Sequence, residues 1–250
     1  MWSKSKKRGT QLNCFSPPVM LATFIIEIVL ATYTIWRYRL NVAARLSVAM
    51  LVTLAIFQIS EYFVCGGMGM SSSGWSRLGY VSITMLPPLG LHLLHVIAGK
   101  GNRRLVQIGY GLAAAFIIFF IGYSEAFTGY QCTGNYVIFQ LAKKSGGLYG
   151  LYYYILMAIA ISLGIYWARG FKAQGKKFIG KYRAIVALIV GYLVFIIPTA
   201  VANTVKPETR SGIPSIMCGF AVIFAILLAV YIMPIIGDRR SMKKLDEKAK

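Results

Sequence analysis

The chain has 250 residues, 57% of them hydrophobic and 14% charged, and its 27 Lys and Arg against 7 Asp and Glu give a formal net charge of +20. Seven long apolar runs use up nearly all of that length, so no separate soluble catalytic domain fits beside them. The basic excess flanks the apolar runs, where topology and contact with anionic lipid account for it, and membrane lipid rather than nucleic acid is the expected partner.

The predicted spans are residues 17–36, 44–64, 78–98, 105–123, 148–168, 184–204 and 212–236, each near the roughly 20 residues a helix needs to cross hydrocarbon. None alternates with period two, so helices and not barrel strands are expected. The fold class is therefore all-α, a seven-transmembrane helix bundle with short tails at 1–16 and 237–250. Eighteen of the 27 Lys and Arg fall in 37–45, 99–104, 169–183 and 237–250, and nine fall on the alternate side. Positively charged flanks resist translocation, which predicts an outer N-terminus and a cytoplasmic C-terminus in a cell membrane. The cluster Lys4, Lys6, Lys7 and Arg8 opposes that count, in a tail short enough to be translocated.

Span 1 opens on Pro17 and Pro18 and carries Glu27 near its middle; its length reads as a retained span rather than a cleaved signal peptide. Span 2 holds Gln58 and Glu61 and is followed by Cys65. Cys14, Cys65, Cys132 and Cys218 all fall on the outward half, where a Cys65 to Cys132 bridge would tie two outer connections together; unpaired thiols are the alternative. Trp75 precedes span 3, which contains Tyr80, Ser82, Thr84 and the pair Pro87-Pro88, predicted to kink it. His92 and His95 follow at i, i+3 on one helix face. The connection 124–147, with several glycines around Tyr136 to Phe139, suits an outer hairpin or lid. Tyr149, Tyr152, Tyr153 and Tyr154 then read as an interfacial aromatic belt. Residues 169–183 form a basic turn, and the last two spans contribute Pro198, predicted to kink span 6, with Thr199, Asn203, Ser215 and Pro234.

Depth sorts the polar residues. At about 1.5 Å per residue, Glu61 lies roughly 5 Å below the outer end of span 2 and His92 roughly 21 Å below that of span 3, too far apart to share a metal. Gln58, Ser82, Thr84, Thr199, Asn203 and Ser215 share the depth of Glu61, and Trp75, Tyr80 and the long loop are placed to roof them. They outline an outward-facing ligand pocket, with routine hydrogen bonding between helices as the alternative. Glu27 matches His92 in depth, which allows a proton-coupled pair; a carboxyl bonded to span 2 or span 7 is the other reading. No Asp, Glu or Cys stands nearby at the depth of the two histidines, spans 1 and 3 not being neighbours in an ordinary seven-helix ring, so neither metal nor cofactor is expected. Motifs of intramembrane hydrolases are absent, span 7 has no Lys for a retinal Schiff base, and span 3 ends Ala98-Gly99-Lys100 in place of an acidic-Arg-Tyr switch. The chain is not expected to be an enzyme.

Trp75-Ser76-Arg77-Leu78-Gly79-Tyr80, followed by Leu86-Pro87-Pro88-Leu89 and His92, resembles the third span of the seven-helix N-terminal sensor region of bacterial histidine kinases. Tyr136 to Tyr154 and Ile213-Pro214 extend the likeness more weakly. The resemblance implies a bundle that senses an outer or intramembrane stimulus. In that family the last span runs on into cytoplasmic PAS or kinase modules, whereas this chain stops at Lys250, so output through a separate signalling partner is the expectation. A small proton-coupled carrier using Glu27 and His92, and a structural or assembly protein with a basic inner face, are the other readings.

Overall fold

In the computed structural model, which describes residues 17–66, 69–132, 137–205 and 213–237, the apolar runs fold as helices joined by short links. The tails with Cys14 and the Lys4 to Arg8 cluster, and the side chains of Asn203, Ser215 and Cys218, lie outside the described residues. Pro17 opens α1 (Pro17–Arg37) where its missing N–H is not needed, and Arg37 closes it where a positive charge complements the helix dipole. The buried residues of α1 are Met20, Thr23, Glu27, Ala31 and Thr34, spaced three or four apart, with Tyr38 continuing the stripe. That spacing keeps one narrow face against the bundle while Ile25, Val29 and Trp36 point outward.

Asn41 caps α2 (Val42–Gly66) by accepting from the Ala44 amide at 2.9 Å. Span 3 is divided. It starts with α3 (Ser72–Thr84), capped by Ser71, and continues after Met85 as α4 (Leu86–Ala98), which ends at Gly99 with φ of 63°. The break follows from Pro87 and Pro88, which cannot donate to the carbonyls of Ile83 and Thr84 one turn back. Tyr152 takes over one of them, its hydroxyl donating to the Thr84 carbonyl at 2.7 Å. Gly90 on α4 lets the chain of α7 approach closely: a Cβ there would stand 1.7 Å from the Tyr192 hydroxyl.

Asn102 caps α5 (Arg103–Gly122) through the Arg104 amide, at 2.9 Å. A short antiparallel hairpin follows, β1 (Phe127–Cys132) and β2 (Val137–Leu141), pairing Tyr130 with Phe139 and Cys132 with Val137. The remaining elements are α6 (Lys143–Ala173), α7 (Ile179–Val205), α8 (Ile213–Ile226), a wider π-helical turn at Leu227–Ile232 and the short α9 (Met233–Ile236). Helix α7 runs on through Pro198.

Among the described residues, seven helices are long and apolar enough to cross a membrane, α3 and α4 together making one of them, as an all-α multi-pass membrane protein requires. Span 3 is the most buried of the seven and α5 the least. The hub is accordingly α4, which packs on α2, α5, α6 and α7. Apolar side chains left on the outside, among them Ile118, Ile121 and Tyr166, suit a hydrocarbon surround rather than water.

Candidate functional site

The hairpin is held over one end of the bundle by two devices. Cys132 of β1 is disulfide-bonded to Cys65 at the end of α2, with the Cα atoms 6.0 Å apart. The guanidinium of Arg77, on α3, donates to the carbonyls of Phe120, Ile121, Tyr123 and Ser124. Those of Phe120 and Ile121 are among the acceptors that a helix end leaves without amide partners, and a fork of N–H groups with a positive charge suits them. The same cation lies 5.9 Å from the centre of the Phe127 ring, which links α3, the end of α5 and the hairpin. Beyond α5, Tyr123 hydrogen-bonds Glu125 at 3.1 Å, and that bond, with the carboxylate charge, raises the phenol above the usual tyrosine range.

Beneath the hairpin, Tyr80 is almost fully buried with four rings around it: Phe120 and Phe127 at 5.2 Å, Tyr149 at 5.4 Å and Phe139 at 5.5 Å. Beside this cluster opens a cavity of about 890 Å³, walled by Tyr80, Phe139, Tyr149, Tyr153 and Met217 and reaching Gln131 and Gln140 of the hairpin. Its size matches pockets that hold drug-sized molecules. Among the described residues no charged side chain lines it, and aromatic faces, a thioether and a few amide and hydroxyl groups make up that wall. Gly147 and Gly150 of α6 also line the wall, and a Cβ at either would meet nothing within 4 Å.

Of the described pocket candidates, Tyr80 lines this cavity, whereas Gln58, Glu61, Trp75, Ser82 and Thr199 are not among its lining residues. Ser82 and Thr199 bond back to their own helices, at Leu78 O (2.8 Å) and Phe195 O (2.6 Å). Trp75 stacks on Phe63 with ring centres 4.8 Å apart. Gln58 and Glu61 are buried on α2. Glu27 is fully buried, has Glu61 as its electrostatic neighbour, and has no hydrogen-bond partner for either carboxyl oxygen among the described residues. His92 faces α5 instead, its Nδ1 3.2 Å from the Tyr110 hydroxyl, so it is not joined to Glu27. With span 3 beginning at Ser72, six residues before the predicted boundary, both histidines fall at the end opposite the hairpin. His95 donates from Nδ1 to the Leu91 carbonyl at 2.8 Å and meets Trp167 edge to face. Among the described residues no three His, Cys, Asp or Glu side chains are grouped to hold a metal ion.

No protein-family model and no curated protein matches the chain.

Arg77, Phe139, Tyr149, Tyr153 and Met217 are the residues of this end that reading by depth passed over. Arg77 could have been found: a lone cation immediately before a predicted span demands partners, and helix-end carbonyls are the nearest supply. Tyr149 and Tyr152 differ from a belt of interfacial rings in being buried, whereas Tyr154 is exposed.

Proposed function

We propose that the chain is a seven-helix integral membrane protein of sensor type, with the hairpin end outside and the C-terminus cytoplasmic. It binds a small neutral ligand in the cavity beneath the hairpin and signals through a separate partner. The observation that carries this reading is the aromatic-walled space of about 890 Å³ under a covalently tethered hairpin, with no charged side chain among its described lining residues. The distribution of Lys and Arg supports the orientation, and the likeness of the Trp75 to His92 stretch to sensor spans supports the class. The ligand these walls favour has a flat apolar body and one or two groups able to bond Gln131, Gln140 or Tyr153.

Native mass spectrometry of gently solubilised protein tests it. Gly150→Trp starts from a position on the cavity wall where a Cβ meets nothing within 4 Å and adds an indole to fill the space, so the parent protein should carry a co-purifying small molecule that this variant lacks. Equal occupancy in the two, or none in either after reconstitution with host membrane extract, counts against the cavity as a ligand site.

A further inference from the structure

At the end opposite the hairpin, α4 and α5 are antiparallel neighbours joined by the tight link Gly99 to Asn102. Two sets of side chains face each other across them at helical spacing. His92, His95 and Val96 descend α4, and Arg103, Gln107 and Tyr110 stand at i, i+4 and i+7 on α5. Between them lies a groove of about 650 Å³, with Lys100 at its closed end.

The polar groups in the groove are donors or neutral groups, with no carboxylate among the lining residues. Arg103 is exposed and has no carboxylate partner among the described residues, whose carboxylates are Glu27 and Glu61, buried near one another, and Glu125 at the hairpin end. Lys100 is not engaged in capping α4: Lys181 occupies the Ala98 carbonyl at 3.1 Å, and Lys100 rests over the Phe171 ring at 5.1 Å. The link packs tightly against His95. Gly101 has φ of 116°, and a Cβ there would come within 2.2 Å of the His95 ring. The outer side of α5 beside the groove is apolar, with Ile108 and Leu112 exposed.

We propose that this groove is a binding site for a phosphate-bearing anion, gripped by Lys100 and Arg103 and hydrogen-bonded by Gln107 and by the one free donor of the bonded His92–Tyr110 pair. Two cations without carboxylate partners among the described residues, lining one recess with neutral polar groups, match the several oxygens of a phosphate group better than a single-point anion. The same chemistry is presented by an acidic lipid headgroup and by free phosphate.

The test uses the full chain in nanodiscs. In discs mixing phosphatidylglycerol with phosphatidylcholine, native mass spectrometry reads retained phosphatidylglycerol; in pure phosphatidylcholine discs, the thermal midpoint is followed against added inorganic phosphate. The double variant Lys100→Gln, Arg103→Gln should weaken retention or the phosphate response about tenfold, the scale of one lost charge-assisted contact. Gln107→Trp, at an exposed helical position, should do the same by filling the groove while leaving both charges. The exposed basic pair Arg169→Gln, Arg183→Gln, which lies at the same end outside the groove, should change neither readout. Loss confined to the lipid arm assigns the site to a headgroup, and loss in the phosphate arm assigns it to a soluble anion. Indifference of both arms to the groove variants, or an equal loss from the control pair, overturns the proposal. Size-exclusion profiles of each variant confirm that folded protein is compared.

Discussion

Replacing Tyr152 with phenylalanine removes one oxygen and leaves the Thr84 carbonyl without a donor. That carbonyl lies four residues before Pro88, which has no N–H, so the helix itself cannot serve it. The Tyr152 hydroxyl reaches it at 2.7 Å in a buried setting. The hydroxyl of Thr84 is already committed, donating to Tyr80 O at 2.6 Å and lying 3.2 Å from the Tyr149 hydroxyl. An orphaned buried acceptor costs about 1 to 3 kcal/mol, and polar pairs between membrane helices sit towards the lower end. The expected loss is about 1.5 kcal/mol, or a fall in Tm of about 3 to 6 °C for a chain of this size. The cycle is closed with Pro88→Ala, which returns an N–H in helical register with Thr84 O. In that background Tyr152→Phe should cost markedly less. Thermal unfolding in detergent, followed by tryptophan fluorescence, reads all four proteins. An unchanged midpoint for Tyr152→Phe, or the same loss in both backgrounds, would refute the assignment of this bond to the proline break.

Arg77→Gln should cost about 2 to 3 kcal/mol, less than four charged hydrogen bonds in isolation because carbonyls at an exposed helix end can turn to water, and Arg77→Lys should recover only part of it; thermal midpoints decide. Cys65→Ser removes a closure across 67 residues, worth up to about 4 kcal/mol by loop entropy and less where a membrane already restrains the chain; parent protein treated with reductant should unfold at the midpoint of the variant. Gly90→Ala drives a methyl group into the Tyr192 hydroxyl and should destabilise by about 1 to 3 kcal/mol, with Tyr192→Phe relieving part of that in the double variant.

Hydropathy exposes what the bilayer demands of each segment separately, which is why the helices could be read from single runs such as 105–123. The proline break was legible for the same reason, since Pro87 and Pro88 remove donors wherever they stand. Its partner Tyr152 was not, because 68 residues separate it from Thr84 and only packing brings them together. Depth arithmetic places a residue along a span and says nothing of the direction it faces around the axis. Glu61 and Thr199 were therefore grouped by height under a roof that included Tyr80, yet of these three Tyr80 alone lines the cavity. The cavity wall is drawn instead from hairpin and α6 aromatics, whose role depends on how the hairpin folds back over the bundle. The tether itself was within reach, because Cys65 and Cys132 flank connections on the same side.

The bridge between Cys65 and Cys132 turns that stretch of chain into a closed circuit, and α3, α4 and α5 lie wholly inside it. A single backbone cut within the circuit, for instance by trypsin after Lys100 in the link before α5, liberates no fragment. The two pieces travel as one species until the sulfurs are reduced. The molecule could thus be built from two separately made polypeptides divided at that link, with oxidation restoring an unbroken covalent connection between them.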